Sequence, residues 1–414
     1  VTGTFAQAVL TLRRISRILW VRVALISALS VLAALSATPL GPLIPEDLRN
    51  RFGAEATLPI LTILANGMLA VATFSLGVMV STHRTLAEQS TPRIHRLLME
   101  DTSTQTMLAT FIGAFVFALS SIILYRAGYY SDSASVIVFA ITVFVVAAIV
   151  VSLVRWIGQL SQIGSLEYAL LRAEQTAAEI LKQQKTLPRL GGCRLGTLPE
   201  GTVPIPAPRS GVLRRVEMDT LQACAETAQA RVWLERLPGA LVLKGQALAQ
   251  VAGTEKVAPF AEAFVIGTER TYEQDPAYAL RALRESAQKA LSPGINDPGT
   301  AIDVVARLER LLWDWAANDD APPDPVHDRV ALADTPPSAL LRAAFDGIAR
   351  DGATSGDVLD AVAAALCRLR GVLPDEARAV IGELLDDLAQ QGEAGLATAG
   401  ERRRLADRLA QSGE

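Results

Sequence analysis

Cysteine and histidine are scarce in this chain of 414 residues, charge is scarce in parts of it, and each scarcity closes a line of explanation. The three cysteines, Cys193, Cys224 and Cys367, are far apart and form no CxxC pair. That leaves no disulfide framework and no thiolate zinc site, and they read as small apolar residues in a reducing compartment. Histidine is as rare: His83, His95 and His327 cannot assemble a histidine metal site, and the first two read as solvated loop residues. Four stretches, near 18–37, 57–80, 107–125 and 133–154, are uncharged or nearly so, Arg22 being the one charge among them. No Asp, Glu or Lys lies in any of them, which argues against a proton-coupled carboxylate or a fixed counter-ion within a membrane.

Further absences concern activity. The balance of 39 basic and 43 acidic residues offers no basic footprint for a nucleic acid. The chain has no phosphate-loop, nucleophile-elbow, HExxH or kinase motif, and Gly191–Gly196 lacks the Lys-Ser/Thr of a phosphate loop. No cofactor, metal or enzymatic activity is therefore expected.

What is present is a layout. All the long apolar runs lie in residues 1–155, and a mostly hydrophilic body follows. Each run approaches or exceeds the roughly 20 residues that cross a bilayer, so the expected fold is a four-span α-helical membrane domain with an extramembrane α+β body. Arg22, near the start of the first run, can snorkel to the interface. Leu35-Ser36-Ala37 offers small residues for signal cleavage, but the run is long for a signal peptide and reads as an anchor.

Arginines set the expected orientation. Arg13, Arg14 and Arg17 precede the first span, Arg84, Arg93 and Arg96 lie between the second and third, and Arg155 closes the fourth. Arg49, Arg51 and Arg126 on the other side are interspersed with acids. The positive-inside rule then puts both termini and the body in the cytoplasm of a bacterial inner membrane. Residues 81–104 read as a loop with an amphipathic stretch from Pro92, its arginines toward lipid headgroups. In the second span Thr62, Asn66 and Gly67 are candidates for interhelical packing or for lining a path.

The body divides by composition into a stem helix (156–187), a small β-rich module (188–258), a helix–loop–helix region (259–317) and a C-terminal helical bundle (318–414), with 318–338 read as a loop. Strand-like pieces fall at Val212–Glu217, Arg231–Arg236, Leu241–Leu243 and Ala247–Val251. The run from Leu237 to Leu248 resembles the half-motif of barrel-sandwich hybrid domains. Lys244 is in the wrong turn for a biotinyl or lipoyl carrier.

Residues 267–301 carry the most specific pattern. Gly267-Thr268-Glu269-Arg270-Thr271-Tyr272-Glu273-Gln274-Asp275-Pro276 opens one helix, and Leu291-Ser292-Pro293-Gly294-Ile295-Asn296-Asp297-Pro298 opens a second. Asp at an N-cap accepts a backbone N–H and Pro at N1 loses no needed donor, so both steps read as capped helix starts, with Gly294 supplying a positive-φ turn. A ligand or ion site is the alternative. Arg270, Thr271, Asp275, Ser292, Asn296 and Asp297 are its candidate residues, and Arg270, Asp275, Asn296 and Asp297 are expected to converge.

"GTERTxxQDP" followed by "ALSPGINDPxTA" resembles a bacterial family of predicted membrane proteins, domain of unknown function 2254. Thr91-Pro92-Arg93 resembles the family's step before its third span, and Gly299 stands where the family has a bulkier residue. The resemblance implies four spans and a cytosolic domain, and no established activity. The leading expectation is an oligomeric channel or transport-type protein with a cytosolic assembly or gating domain. The alternative is a membrane-anchored sensor or scaffold. The partners expected are the lipid bilayer and further copies of the chain, with no nucleic acid; whether a small ligand or ion joins them is left open.

Overall fold

The computed structural model describes residues 19–40, 54–99, 102–160, 165–317 and 323–410. Arg13, Arg14, Arg17, Arg49 and Arg51, which carry much of the orientation reading, lie outside the described residues. The chain divides into two units after Ala169.

The first unit holds helices α1 (Leu19–Leu40), α2 (Ala54–Gln89), α3 (Pro92–Met99), α4 (Thr102–Arg126) and α5 (Asp132–Leu160). Among the described residues α1, α2, α4 and α5 are long and apolar enough to cross a membrane. The second unit begins within α6 (Leu166–Thr186).

α4 is the centre of the first unit, packed against α1, α2 and α5, with Phe111 and Phe117 fully buried. Its Gly113 lets α1 approach: a Cβ there would overlap the Ile26 side chain. Arg22, at the start of α1, donates to Thr106 Oγ1 at 2.6 Å near the start of α4, so its charge sits at a helix end.

α2 continues to Gln89, well beyond its apolar run. The reading of 81–104 as a loop is corrected there: Ala87, Glu88 and Gln89 are good helix formers, and buried Leu86 keeps the apolar face going. Ser90 and Thr91 alone separate α2 from α3, whose buried Ile94 anchors the amphipathic turn. His83 and His95 are thus helical and half-buried, with ring centroids 6.2 Å apart.

Within the expected stem α5 runs to Leu160 and α6 from Leu166, and residues 161–164 lie outside the described residues. In the second unit β1 (Gly192–Arg194), β2 (Val203–Pro206), β3 (Gly211–Val216), α7 (Met218–Thr227), β4 (Arg231–Leu234), β5 (Leu241–Val242) and β6 (Ala247–Ala252) follow. Then come α8 (Ala258–Ala261), β7 (Phe264–Gly267), α9 (Pro276–Ala290), α10 (Pro298–Ala317) and β8 (His327–Leu332). α11 (Pro337–Phe345), α12 (Ile348–Asp351), α13 (Gly356–Arg370), α14 (Asp375–Gly395) and α15 (Ala399–Ala410) complete it.

The strands form a five-stranded sheet, order β1-β8-β4-β6-β2, and a three-stranded sheet, order β5-β3-β7. β8 pairs in parallel with β1 and β4, and the other pairs are antiparallel. Both sheets share one core that includes Leu213, Val232, Leu248, Phe260 and Val330. β8 falls inside 318–338, so the loop reading of that segment is corrected: His327, Val330 and Leu332 turn inward within a stretch flanked by Asp and Pro.

α9, α10, α11, α13, α14 and α15 pack as a bundle around leucines such as Leu283, Leu308, Leu340 and Leu366. Arg307 of α10 joins Glu174 of α6 at 2.7 Å and Asp303 at 2.7 Å, which fastens α6 to the bundle. In the basic last helix, Arg408 is tied to Asp360 of α13 at 2.8 Å.

Replacing Gly113 by Leu is expected to lower stability by about 1–3 kcal/mol through overpacking at the α1–α4 approach. Thermal unfolding in mild detergent checks this, and an unchanged midpoint would contradict the close-packing role.

Candidate functional site

The motif loop between β7 and α9 is built by local hydrogen bonds. Asp275 is the N-cap of α9 and accepts the Tyr278 N–H at Oδ1, 3.0 Å. Its Oδ2 accepts from Arg270 Nε at 2.9 Å and Nη2 at 2.5 Å, and the guanidinium lies over the Tyr278 ring, 5.1 Å from its centroid. Gln274 clasps the end of β3 with both ends of its amide: Oε1 accepts from Val216 N–H at 2.9 Å and Nε2 donates to the Val216 carbonyl at 3.1 Å. Thr271 donates to the Arg214 carbonyl at 3.4 Å. Asp275 is 4% exposed, so its charge is held by partners rather than water. Burial pushes its carboxyl up, while Arg270 and the Tyr278 N–H pull it back.

Gly239 completes this cluster from the β-module. Its φ is +92°, and a Cβ would overlap Asp275 Oδ2 and Arg270 Nη2. The Pro238-Gly239 turn can therefore lie directly against the ion pair only because residue 239 has no side chain.

The second half of the motif stands elsewhere. Asp297 caps α10, accepting Thr300 N–H at 3.0 Å and Thr300 Oγ1 at 2.5 Å, and these bonds hold its carboxyl below the usual range. Ser292 donates to the Lys289 carbonyl at 2.6 Å. The left-handed residue of the turn is Asn296 (φ 49°), not Gly294. Residues 293–299 are exposed. Convergence of Arg270 and Asp275 with Asn296 and Asp297 is not formed: the two groups lie at opposite ends of α9, a helix of 15 residues, roughly 22 Å at 1.5 Å per residue.

A cavity of about 700 Å³ opens beside the first group. Its walls come from the end of α6 and the turn after it (Ile180–Leu190), the Leu237–Ala240 turn, residues 270–277, and the segment leading from β8 into α11 (Leu332–Ala339). Arg189, Arg215 and Arg270 line it, with Glu273 and Asp275. Arg189 and Leu190 adopt left-handed backbone (φ 53° each), a conformation costly for side chains of that bulk. Arg189, Arg215, Gln274 and Gly239 were not among the sequence candidates. Gln274 alone had a local signal, its place beside the capping Asp275.

In α2 the candidates face outward. Its buried stripe is Thr57, Leu61, Leu64, Met68, Ala72 and Ser75, turned toward the bundle. On the opposite side Glu55, Pro59, Thr62, Asn66, Ala70, Thr73, Gly77, Ser81 and Arg84 recur at three- and four-residue steps, all exposed. Thr62 and Thr73 satisfy their hydroxyls on the Leu58 and Leu69 carbonyls. Gly67 has open space around it. Packing inside the unit therefore does not account for Thr62, Asn66 or Gly67.

A family model described as predicted membrane protein (DUF2254) matches residues 16–368. An uncharacterized protein of Mycobacterium bovis and one of Mycobacterium tuberculosis are each 37% identical to the chain over 134 residues. That match covers 30% of this chain and 26% of each relative, so it spans about a quarter of the relatives' length. No solved structure matches the chain significantly.

Asp275→Asn is expected to cost about 1–3 kcal/mol, because an amide has one oxygen and cannot accept from both the Tyr278 N–H and Arg270 as the two carboxyl oxygens do. Asp297→Ala is expected to cost about 1 kcal/mol, the value of an exposed N-cap. The two differ in pH dependence. Asp297, with a depressed pKa, contributes above its unfolded pKa, and that contribution is lost as pH falls through the folded value. Asp275, with a raised pKa, acts in the opposite sense, its contribution falling as pH rises through the folded value. Denaturation of each variant at neutral and acid pH distinguishes them; equal costs at both pH values would contradict the assignment.

Proposed function

The chain belongs to this family of predicted membrane proteins, and from that premise we propose that it works as a homo-oligomeric channel or transport-type protein. The observation that carries the proposal is the outward stripe of α2. A side chain such as Asn66 facing hydrocarbon is costly, and intramembrane polar groups characteristically face a helix partner or a water-filled path. Flanking the stripe are exposed Ile63 and Phe74 on one side and Leu69 and Leu76 on the other, apolar surface suited to neighbouring copies or lipid. A ring of chains with α2 innermost would place Thr62, Asn66 and Thr73 along an uncharged passage.

In this reading the body is cytoplasmic in a bacterial inner membrane and assembles or gates the ring; the arginine distribution supports that orientation. The connection is direct in sequence, since α6, which walls the cavity, follows the last span α5. The two sheets, joined through the Leu243–Gln246 turn, support a barrel-sandwich-like β-module as the assembly element. A second reading, a membrane-anchored sensor, is favoured by the cavity itself, whose size falls in the range of small-molecule sites.

Purified chain in mild detergent is expected to run as a homo-oligomer, and in liposomes to pass small solutes or ions. Asn66→Leu is expected to keep the oligomer and lower flux several-fold. A monomer with no flux would reject the channel reading and leave the sensor.

A further inference from the structure

The cavity beside Arg270 has a lining that selects a ligand class. Its apolar wall is aliphatic, from Ile180, Leu187, Leu190, Leu237 and Leu332, and among the described residues no aromatic ring lines it. A nucleobase would find no stacking platform there, whereas a hydrocarbon chain would find matched surface. The polar part of the lining holds three guanidinium groups, Arg189, Arg215 and Arg270, and two carboxylates, Glu273 and Asp275.

Each of two guanidiniums keeps a free end. Arg270 uses Nε and Nη2 on Asp275, which leaves Nη1. Arg189 uses Nε on the Gly192 carbonyl at 3.3 Å and Nη1 on Asp334 at 2.8 Å, which leaves Nη2. Arg215 pairs with Glu217 and lies 3.8 Å from Glu273, both pairs well exposed to water. The N-termini of α9 and α11 bring Pro276 and Ala339 to the same space, adding partial positive charge. Guanidinium N–H donors that these pairs leave unused, set among aliphatic walls, describe the complement of an amphiphile with an oxyanion head.

We propose that this cavity binds an amphipathic anion, an aliphatic chain bearing one carboxylate or phosphate head, with the head on Arg189, Arg215 and Arg270. Guanidinium groups recognise both heads by paired N–H donation, so the shared chemistry is a tetrahedral or planar oxyanion on an alkyl tail. The left-handed turn at Arg189 and Leu190 is the piece of wall that holds one head contact and one tail contact side by side. The inference deepens the sensor role of the body and is independent of whether the spans conduct.

The test is calorimetric titration of the full chain in nanodiscs, with empty discs as blank, using octanoate and octyl phosphate as probes. One saturable site per chain is expected for at least one probe, with octanol and inorganic phosphate each binding at least tenfold more weakly. Ala339→Phe, which fills the cavity, is expected to abolish binding with the unfolding midpoint kept. Arg215→Gln, at an exposed pair, is expected to weaken binding about tenfold. Discs of anionic lipid that compete with the probe would assign the site to a lipid headgroup; lack of competition would assign it to a free amphiphile. Equal binding of octanol overturns the anionic head, unchanged binding by a folded Ala339→Phe variant overturns the location, and no binding overturns the proposal. The titration reads binding and not flux, so a chain that conducts nothing can still bind the probe or fail to.

Discussion

The buried pair of Arg270 and Asp275 is the constraint around which the body is arranged. One carboxylate closes the first turn of α9, neutralises a guanidinium and lies against the Pro238-Gly239 turn. Two distant parts of the sequence, the 270–278 segment and the Pro238-Gly239 turn, therefore meet at one carboxylate. A buried carboxylate is tolerable only when its hydrogen bonds are complete. Here that need fixes where the β-module meets the helical bundle, and Gln274, clasping Val216 next door, keeps β3 in register with the same loop.

The cavity follows from this junction. The strand-to-helix segment at Leu332–Ala339 and the turn after α6 complete its walls beside the Arg270–Asp275 pair. The guanidinium that completes the structural pair also lines this space, so the proposed recognition and the structural contact draw on one residue.

How much was legible in the sequence depended on the range of the interaction involved. The Asp-Pro starts of α9 and α10 could be read because a cap is a contact between residues three apart. The four spans could be read because length and apolarity are local sums. β8 could not, since its partners β1 and β4 lie far back in the chain and its flanks are rich in Asp and Pro. The supposed meeting of Asn296 and Asp297 with Arg270 failed because a whole helix stands between them. Likewise, a nearly all-apolar α2 gives no sign of which side faces its neighbours; only packing against α4 turns Asn66 outward.

The length of α2 has a mechanical consequence. Its 36 residues make a rod of roughly 54 Å, against about 30 Å of hydrocarbon. The excess is an unbroken extension that carries His83 and Arg84 and hands over to α3 after two residues. A stiff rod of this kind converts rotation into displacement: with about 20 Å beyond the bilayer, a 10° tilt sweeps its tip by about 3–4 Å. Any torque on the α2–α3 elbow would therefore turn the Asn66 face without a hinge inside the membrane.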